Sequence, residues 1–169
     1  MSASNIEILS RSLQNISVVD SLKLLAEKFY GKIVFSTSLG IEDQVITHII
    51  FTNDIPIKIF TIDTGRLFYE TYDALNRTVE KYEKKIEIFF PQSHLVENLV
   101  NTKGMFSFYE SVENRKECCR IRKVEPLERA LNGMDCWITG IRAEQSLNRK
   151  GLTKLEWDEH HELVKFHPL

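Results

Sequence analysis

The chain has 169 residues, 43% of them hydrophobic and 27% charged, with a formal net charge of −2. That length suits one domain with a sizeable core, and these fractions exclude a disordered chain. The near-neutral balance argues against a general nucleic-acid binder, so any anion site has to come from local basic clusters.

The chain alternates short apolar runs with longer helical patterns. Asp20 is expected to cap a helix carrying Leu22, Leu24, Leu25 and Phe29. Ile33-Val34-Phe35 reads as a strand that breaks into Ser36-Thr37-Ser38-Leu39-Gly40. Ile41, Val45, Ile46, Ile49 and Ile50 then form one face of a helix. A second strand runs from Ile57 to Ile62 after the turn signal Asn53-Asp54-Ile55-Pro56. Leu67 to Tyr82 is a longer helix, with Glu80 and Lys84 at the favourable i,i+4 spacing. Ile86 to Phe90 is a third strand, stopped by Pro91, and Val124, Leu127 and Leu131 mark a helix behind Cys118 and Cys119. Cys136-Trp137-Ile138-Thr139 is a fourth strand, following Asn132-Gly133. Leu155 and Trp157, then Leu163 and Phe166, flank a polar turn and suggest an antiparallel hairpin. Strands separated by helices of this length predict an α/β domain, its mainly parallel sheet covered on both faces. No apolar run is long enough to span a membrane. No secretory signal is expected from the first residues, and three cysteines do not form a secreted disulfide framework, so a cytoplasmic, reduced setting is expected.

Three turns could carry chemistry. Ser36 to Asp43 is a strand, a small-residue turn and a helix start, where free amides and hydroxyls bind phosphate or sulfate. The plain alternative is an ordinary turn with Ser38 as cap and with Glu42 and Asp43 answering the helix dipole. Thr61-Ile62-Asp63-Thr64-Gly65-Arg66 should lie beside it at the carboxyl end of the next strand. Asp63 there either accepts from a ribose hydroxyl or simply forms the turn. Thr139 to Arg149 follows the fourth strand, and Arg142 and Arg149 bracket a loop able to grip an anion, or only a solvated one.

Cys118-Cys119 is the most unusual feature, two adjacent thiols followed directly by Arg120, Arg122 and Lys123. Neighbouring cations favour the thiolate, the form that binds metal or attacks electrophiles. The pair is incidental, a redox pair, or two ligands of a metal centre. An iron–sulfur cluster normally takes four thiolates, and Cys136 sits in an apolar strand, so this sequence does not complete such a site alone. His160 and His161 read as a solvated turn rather than zinc ligands, and His48 and His94 show no partner.

In their order, Ser38-Leu39-Gly40-Ile41-Glu42-Asp43, Ile62-Asp63-Thr64-Gly65-Arg66, the run Cys118 to Leu127 and Trp137-Ile138-Thr139-Gly140-Ile141-Arg142 resemble the assimilatory adenylyl-sulfate reductases. These belong to the family of adenylyl-sulfate and phosphoadenylyl-sulfate reductases, and the likeness runs from Gly31 to Leu169. It implies an adenine-nucleotide α-hydrolase-like fold, with residues 1–169 forming a single nucleotide-binding domain. It further implies reduction of adenylyl-sulfate to sulfite and AMP, with a thioredoxin or glutaredoxin-type protein as electron donor. By position, Cys118 and Cys119 match ligands of a 4Fe-4S cluster, and Lys123 matches a supporting lysine between cluster and substrate. Ser36, Ser38 and Gly40 match the phosphosulfate loop, and Asp63, Thr64, Gly65 and Arg66 the ribose-side loop. Arg142, Gln145 and Arg149 match the arginine-rich loop around the sulfate, with Ala143 and Asn148 as mild departures.

The family's second cysteine pair and its nucleophilic cysteine would follow the segment matched by His167-Pro168-Leu169, where this sequence stops. No catalytic nucleophile is therefore expected among these residues. The alternatives are a phosphoadenylyl-sulfate reductase, or a truncated remnant that binds nucleotide without turning it over. An ATP-pyrophosphatase relative would carry Ser-Gly-Gly-x-Asp-Ser in the first loop, which Ser38 to Asp43 does not. Expected partners are adenylyl-sulfate or AMP and the reductant, with assembly into a homo-oligomer left open, and neither nucleic acid nor membrane.

Overall fold

Ile33, Val34 and Phe35 alternate between two cores, and that alternation sets the layers. Strand side chains point to opposite faces in turn. Ile33 and Phe35 enter a large apolar cluster with Leu22, Leu25, Ile46, Ile50, Ile138 and Phe166, while Val34 joins a smaller one with Phe60, Ala130, Leu131 and Leu163. The computed structural model describes residues 3–141 and 153–169.

Six strands form one sheet in the order β3-β2-β1-β4-β6-β5. They are β1 (Ile33–Ser36), β2 (Lys58–Ile62), β3 (Glu87–Phe89), β4 (Cys136–Thr139), β5 (Leu155–Asp158) and β6 (Leu163–Phe166). All neighbours are parallel except β5, which runs antiparallel to β6. The expected hairpin is therefore present, but its second strand is also inserted beside β4, with Trp137 opposite Lys165. The sheet reads outward from β1 in both directions, to β2 and to β4, so the chain reverses its winding there. Ligands of open α/β sheets bind at that switch point, beyond the carboxyl ends of the strands.

Helices α1 (Ala3–Ser12), α2 (Val18–Lys28), α3 (Ile41–Thr52) and α4 (Tyr69–Tyr82) supply the larger core, which includes Leu9, Leu13, Leu22, Ile46, Leu75 and Val79. Helix α5 (Ser93–Lys103) precedes α6 (Val112–Cys119), and α7 (Glu125–Leu131) covers the smaller core. Removing the Phe35 side chain, which is fully buried, would cost about 3–5 kcal/mol.

Three local expectations need correction. The cap of α2 is Ser17, not Asp20: Ser17 Oγ accepts from Asp20 N at 3.1 Å and donates to Asp20 Oδ2 at 2.7 Å. A hydroxyl three residues ahead of an acid makes a reciprocal cap, which places Asp20 inside the first turn. Helix α4 starts at Tyr69 rather than Leu67 and ends at Tyr82, because Glu83 turns left-handed at φ 51°. Lys84 is then outside the helix and reaches Asp54 Oδ1 at 2.5 Å and the Phe51 carbonyl at 2.6 Å, while Glu80 accepts from Asn76.

The third concerns the segment behind the cysteines. The helix does not begin there but runs from Val112 to Leu131, widening to a π turn at Arg120–Val124. Pro126 lacks the N–H that Arg122 would receive in an unbroken ladder, and the turn widens to absorb that loss. Cys118 and Cys119 thus close α6, directly before the widened segment. His48, for which no partner was expected, lies 2.8 Å from the Tyr82 hydroxyl.

Candidate functional site

A cavity of about 510 Å³ opens at the carboxyl ends of β1, β2 and β4. Its wall includes Ser36, Ser38, Asp43, Thr64, Lys123 and Thr139. That volume suits a small-molecule ligand.

After β1 the chain turns through Leu39, a non-glycine at φ 64°, and enters α3 with Gly40 at the N-cap and no side-chain cap bond. Ser38 does not cap the helix. Its N–H and its hydroxyl both donate to Asp43 Oδ2, at 2.5 and 2.6 Å. Asp43 is buried and leans back from the first turn of α3 over the loop. A Cβ at Gly140 would come 1.9 Å from Asp43 Oδ1, so that position has room for glycine alone. Ser36 behaves differently: its Oγ accepts from Trp137 Nε1 at 2.8 Å, which leaves its own proton available.

After β2, Asp63 continues the ladder by donating its N–H to the Phe89 carbonyl at 3.0 Å. Its Oδ1 accepts from Gly65 N at 2.7 Å and its Oδ2 from the Tyr72 hydroxyl at 2.8 Å. Asp63 is buried and both oxygens are engaged within the scaffold. The same carboxylate pushes the Tyr72 phenol above its usual value, chiefly through that hydrogen bond. Gly65 sits at φ 69°, with the Arg122 guanidinium 3.2 Å from where a Cβ would stand.

The widened turn carries two cations with different fates. Lys123 faces the cavity. Arg122 is buried and donates from Nη1 to the Thr64 carbonyl at 2.7 Å, tying this segment to the turn after β2; its Nε finds no partner among the described residues. Arg66 points elsewhere. Its guanidinium lies 4.7 Å from the Phe108 ring centre and 5.7 Å from that of Phe106, and donates to the Met105 carbonyl.

Cys118 is half-buried and Cys119 exposed, so both sulfurs lie near the surface. Soft, adjacent, accessible thiols suit iron or zinc. They fit half of a four-thiolate site, and among the described residues no three His, Cys, Asp or Glu side chains converge on a metal position. Cys136 does not extend the pair: it opens β4 at the amino end of the sheet, and burial pushes its thiol far up. His161 packs on Asp158 at 3.1 Å within the β5–β6 turn.

Ser36, Ser38, Thr64 and Lys123 thus share one cavity; Asp63 and Gly65 close the turn that carries Thr64, Arg66 points away onto Phe106 and Phe108, and Gly40 caps α3. Arg142, Gln145 and Arg149 lie outside the described residues. The sequence reading gave Asp43 only a helix-dipole role and gave Trp137, Thr139 and Arg122 no specific role in the site. An acid three residues after Gly40 was the available signal for Asp43; the others depend on strand pairing. No described helix is long and apolar enough to cross a membrane.

Residues 32–169 match the family described as the phosphoadenosine phosphosulfate reductase domain. The chain is 47% identical over 137 residues to an adenosine 5'-phosphosulfate reductase of Allochromatium vinosum, covering 81% of this chain and 54% of that protein. It is 44% identical over 151 residues to the protein of the same name from Burkholderia cepacia, covering 89% and 60%. It therefore spans less than two thirds of the length of either relative. Among solved structures, a phosphoadenylyl-sulfate reductase from Candida auris in a phosphate complex superposes with a TM-score of 0.80 at 26% identity, over 100% of this chain and 80% of that one. An FMN adenylyltransferase of Candida glabrata shares the fold, with a TM-score of 0.54 at 14% identity over 99% and 58%.

Proposed function

This chain belongs to the phosphoadenosine phosphosulfate reductase domain family, and on that premise we propose that it binds adenylyl-sulfate for reduction to sulfite and AMP. One observation carries the reading: Ser36 and Lys123 meet in a cavity at the switch point of the sheet, on the segment that follows Cys118 and Cys119. Relatives at 44–47% identity that bear the name adenosine 5'-phosphosulfate reductase support the substrate.

In this reading Lys123 offsets substrate charge, and the Ser36 hydroxyl donates to an anionic oxygen. Ser38 and Gly40 shape the phosphosulfate loop and Thr64 borders the ribose, while Asp63, Gly65 and Arg66 complete the ribose-side turn without touching the ligand. Arg142, Gln145 and Arg149 are assigned to the sulfate end from the sequence pattern. Residues 1–169 act as one nucleotide-binding domain. Cys118 and Cys119 would supply two of the four thiolates that a 4Fe-4S cluster takes. Such a cluster would supply a polarisable charged centre.

Taking activated sulfate to sulfite needs two electrons, which a dithiol of the thioredoxin or glutaredoxin type supplies. The attacking thiolate is none of the three cysteines here, since Cys118 and Cys119 serve the cluster and Cys136 is buried. The setting is the cytoplasm, and the enzyme works as a monomer or a homo-oligomer.

The solved Candida auris structure gives weight to a second substrate, the 3'-phosphorylated nucleotide. Calorimetric titration with adenylyl-sulfate, AMP and phosphoadenylyl-sulfate decides between them. The proposal expects adenylyl-sulfate to bind more tightly than its 3'-phosphorylated analogue; the reverse order hands the site to the second substrate, and binding of none sinks both.

A further inference from the structure

Two hydroxyls stand side by side in the cavity with opposite polarity. Ser36 and Thr139 are register partners on β1 and β4, and both line the wall. Ser36 Oγ receives the Trp137 indole proton and keeps its own to give away. Thr139 Oγ1 instead lies 2.6 Å from His167 Nδ1, in a contact where both residues are buried.

His167 is held from three sides. Its backbone N–H donates to the Lys154 carbonyl at 2.8 Å, and its Nε2 lies 3.4 Å from Glu156 Oε1. These groups meet because β6 lies between β4 and β5, which brings Thr139, His167 and Glu156 onto adjacent strands or their ends. An ionised carboxylate only accepts, so the imidazole proton belongs on Nε2. The neutral ring then has a bare Nδ1, and the Thr139 hydroxyl donates to it. With its proton committed, Thr139 Oγ1 offers lone pairs alone. One faces the Ile141 N–H at 3.5 Å, and the other remains for the cavity.

We infer that Thr139 reads a hydrogen-bond donor of the nucleoside, a ribose hydroxyl or the exocyclic amine, and that His167, fixed by Glu156, is the positioning residue that sets this polarity. The inference rests on the cavity being the nucleotide site. Phosphate and sulfate oxygens, which only accept, fall to Ser36 and Lys123 instead. Protonating His167 reverses the arrangement: Nδ1 gains a hydrogen, Thr139 must accept it, and the threonine proton swings toward the cavity. Among the described residues, the charged groups near the ring include Glu156 of β5, Lys165 of β6 at 3.6 Å from the same Glu156 oxygen, and Asp158 at 3.7 Å from Lys165.

Adenosine and AMP test this, because they share every nucleoside donor and differ by the phosphate. Titrated into the 169-residue chain, both should lose about tenfold in affinity with Thr139→Val and recover it with Thr139→Ser. Adenosine affinity should fall as pH drops through the titration of His167, stay flat in His167→Asn, and fall at lower pH in Glu156→Gln, where the carboxylate favouring the imidazolium is gone. Nitrogen-15 spectra of the His167 ring read the tautomer without any ligand, so a variant that fails to fold leaves the test intact. A protonated Nδ1 in the neutral ring overturns the inference. So does a Thr139→Val loss confined to AMP, or AMP binding without adenosine binding, and either leaves the nucleotide site standing. Binding of neither ligand by the unaltered chain overturns the inference and the proposed function together.

Discussion

The turns after β1 and β2 each bury an aspartate at the carboxyl edge of the sheet, yet the two carboxylates do different work. Asp63 is the first residue beyond its strand and closes its own turn, taking Gly65 N on one oxygen and the Tyr72 hydroxyl on the other. Asp43 comes from the helix beyond its turn, reaches back to both donors of Ser38, and presses its other oxygen toward Gly140 and the cavity. One acid joins a turn to the scaffold, and the other shapes the wall a ligand meets. A buried carboxylate is not by itself a sign of ligand contact; its partners decide.

That contrast breaks most sharply at Gly140. Gly140→Ala drives a methyl into Asp43 Oδ1, and because overpacking a tight site costs about 1–3 kcal/mol, the unfolding midpoint in urea should drop while nucleotide affinity is lost as well. Asp43→Ala comes next. It leaves the Ser38 N–H and hydroxyl without their acceptor, a loss of about 1.5–3 kcal/mol for bonds to a charged group; AMP titration should show binding weakened beyond what the loss of stability explains. If affinity survives Asp43→Ala, the wall-shaping role is wrong.

Asp63→Ala should destabilise the fold by about 1–3 kcal/mol through the orphaned Gly65 N–H, and leave AMP affinity within about twofold once the protein is folded. A large affinity loss there would place Asp63 on the ligand after all. Tyr72→Phe has the smallest effect and a pH signature. The phenol titrates above its ordinary value in the folded chain, so its contribution is complete below the unfolded value of about 10 and is lost as pH rises through the folded one. The stability gap between the native chain and Tyr72→Phe should therefore close in strongly alkaline urea titrations.

Much of the fold was legible because period and punctuation report it directly. The β-branched run at Ile33-Val34-Phe35, the break at Ser36 to Gly40 and the apolar face of α3 identify the central strand–turn–helix unit. Helix ends were harder, since Ser17 and Glu83 act through cap geometry that periodicity does not register. The widened turn at Arg120–Val124 depends on how the helix accommodates Pro126.

Sequence alone determined the order of the motifs: a hydroxyl-rich turn, an Asp-Thr-Gly turn, an adjacent thiol pair with following cations, and a Thr-Gly strand end. It also determined that the sheet is mainly parallel, because the strands are separated by helices. Tertiary structure decided which side chains face the ligand space. Arg66 turned onto aromatic rings, Arg122 went inward while Lys123 went outward, and Thr139 met a histidine from the strand next door. Those outcomes hinge on contacts between residues dozens of positions apart, which local propensity does not encode and only the packed sheet brings together.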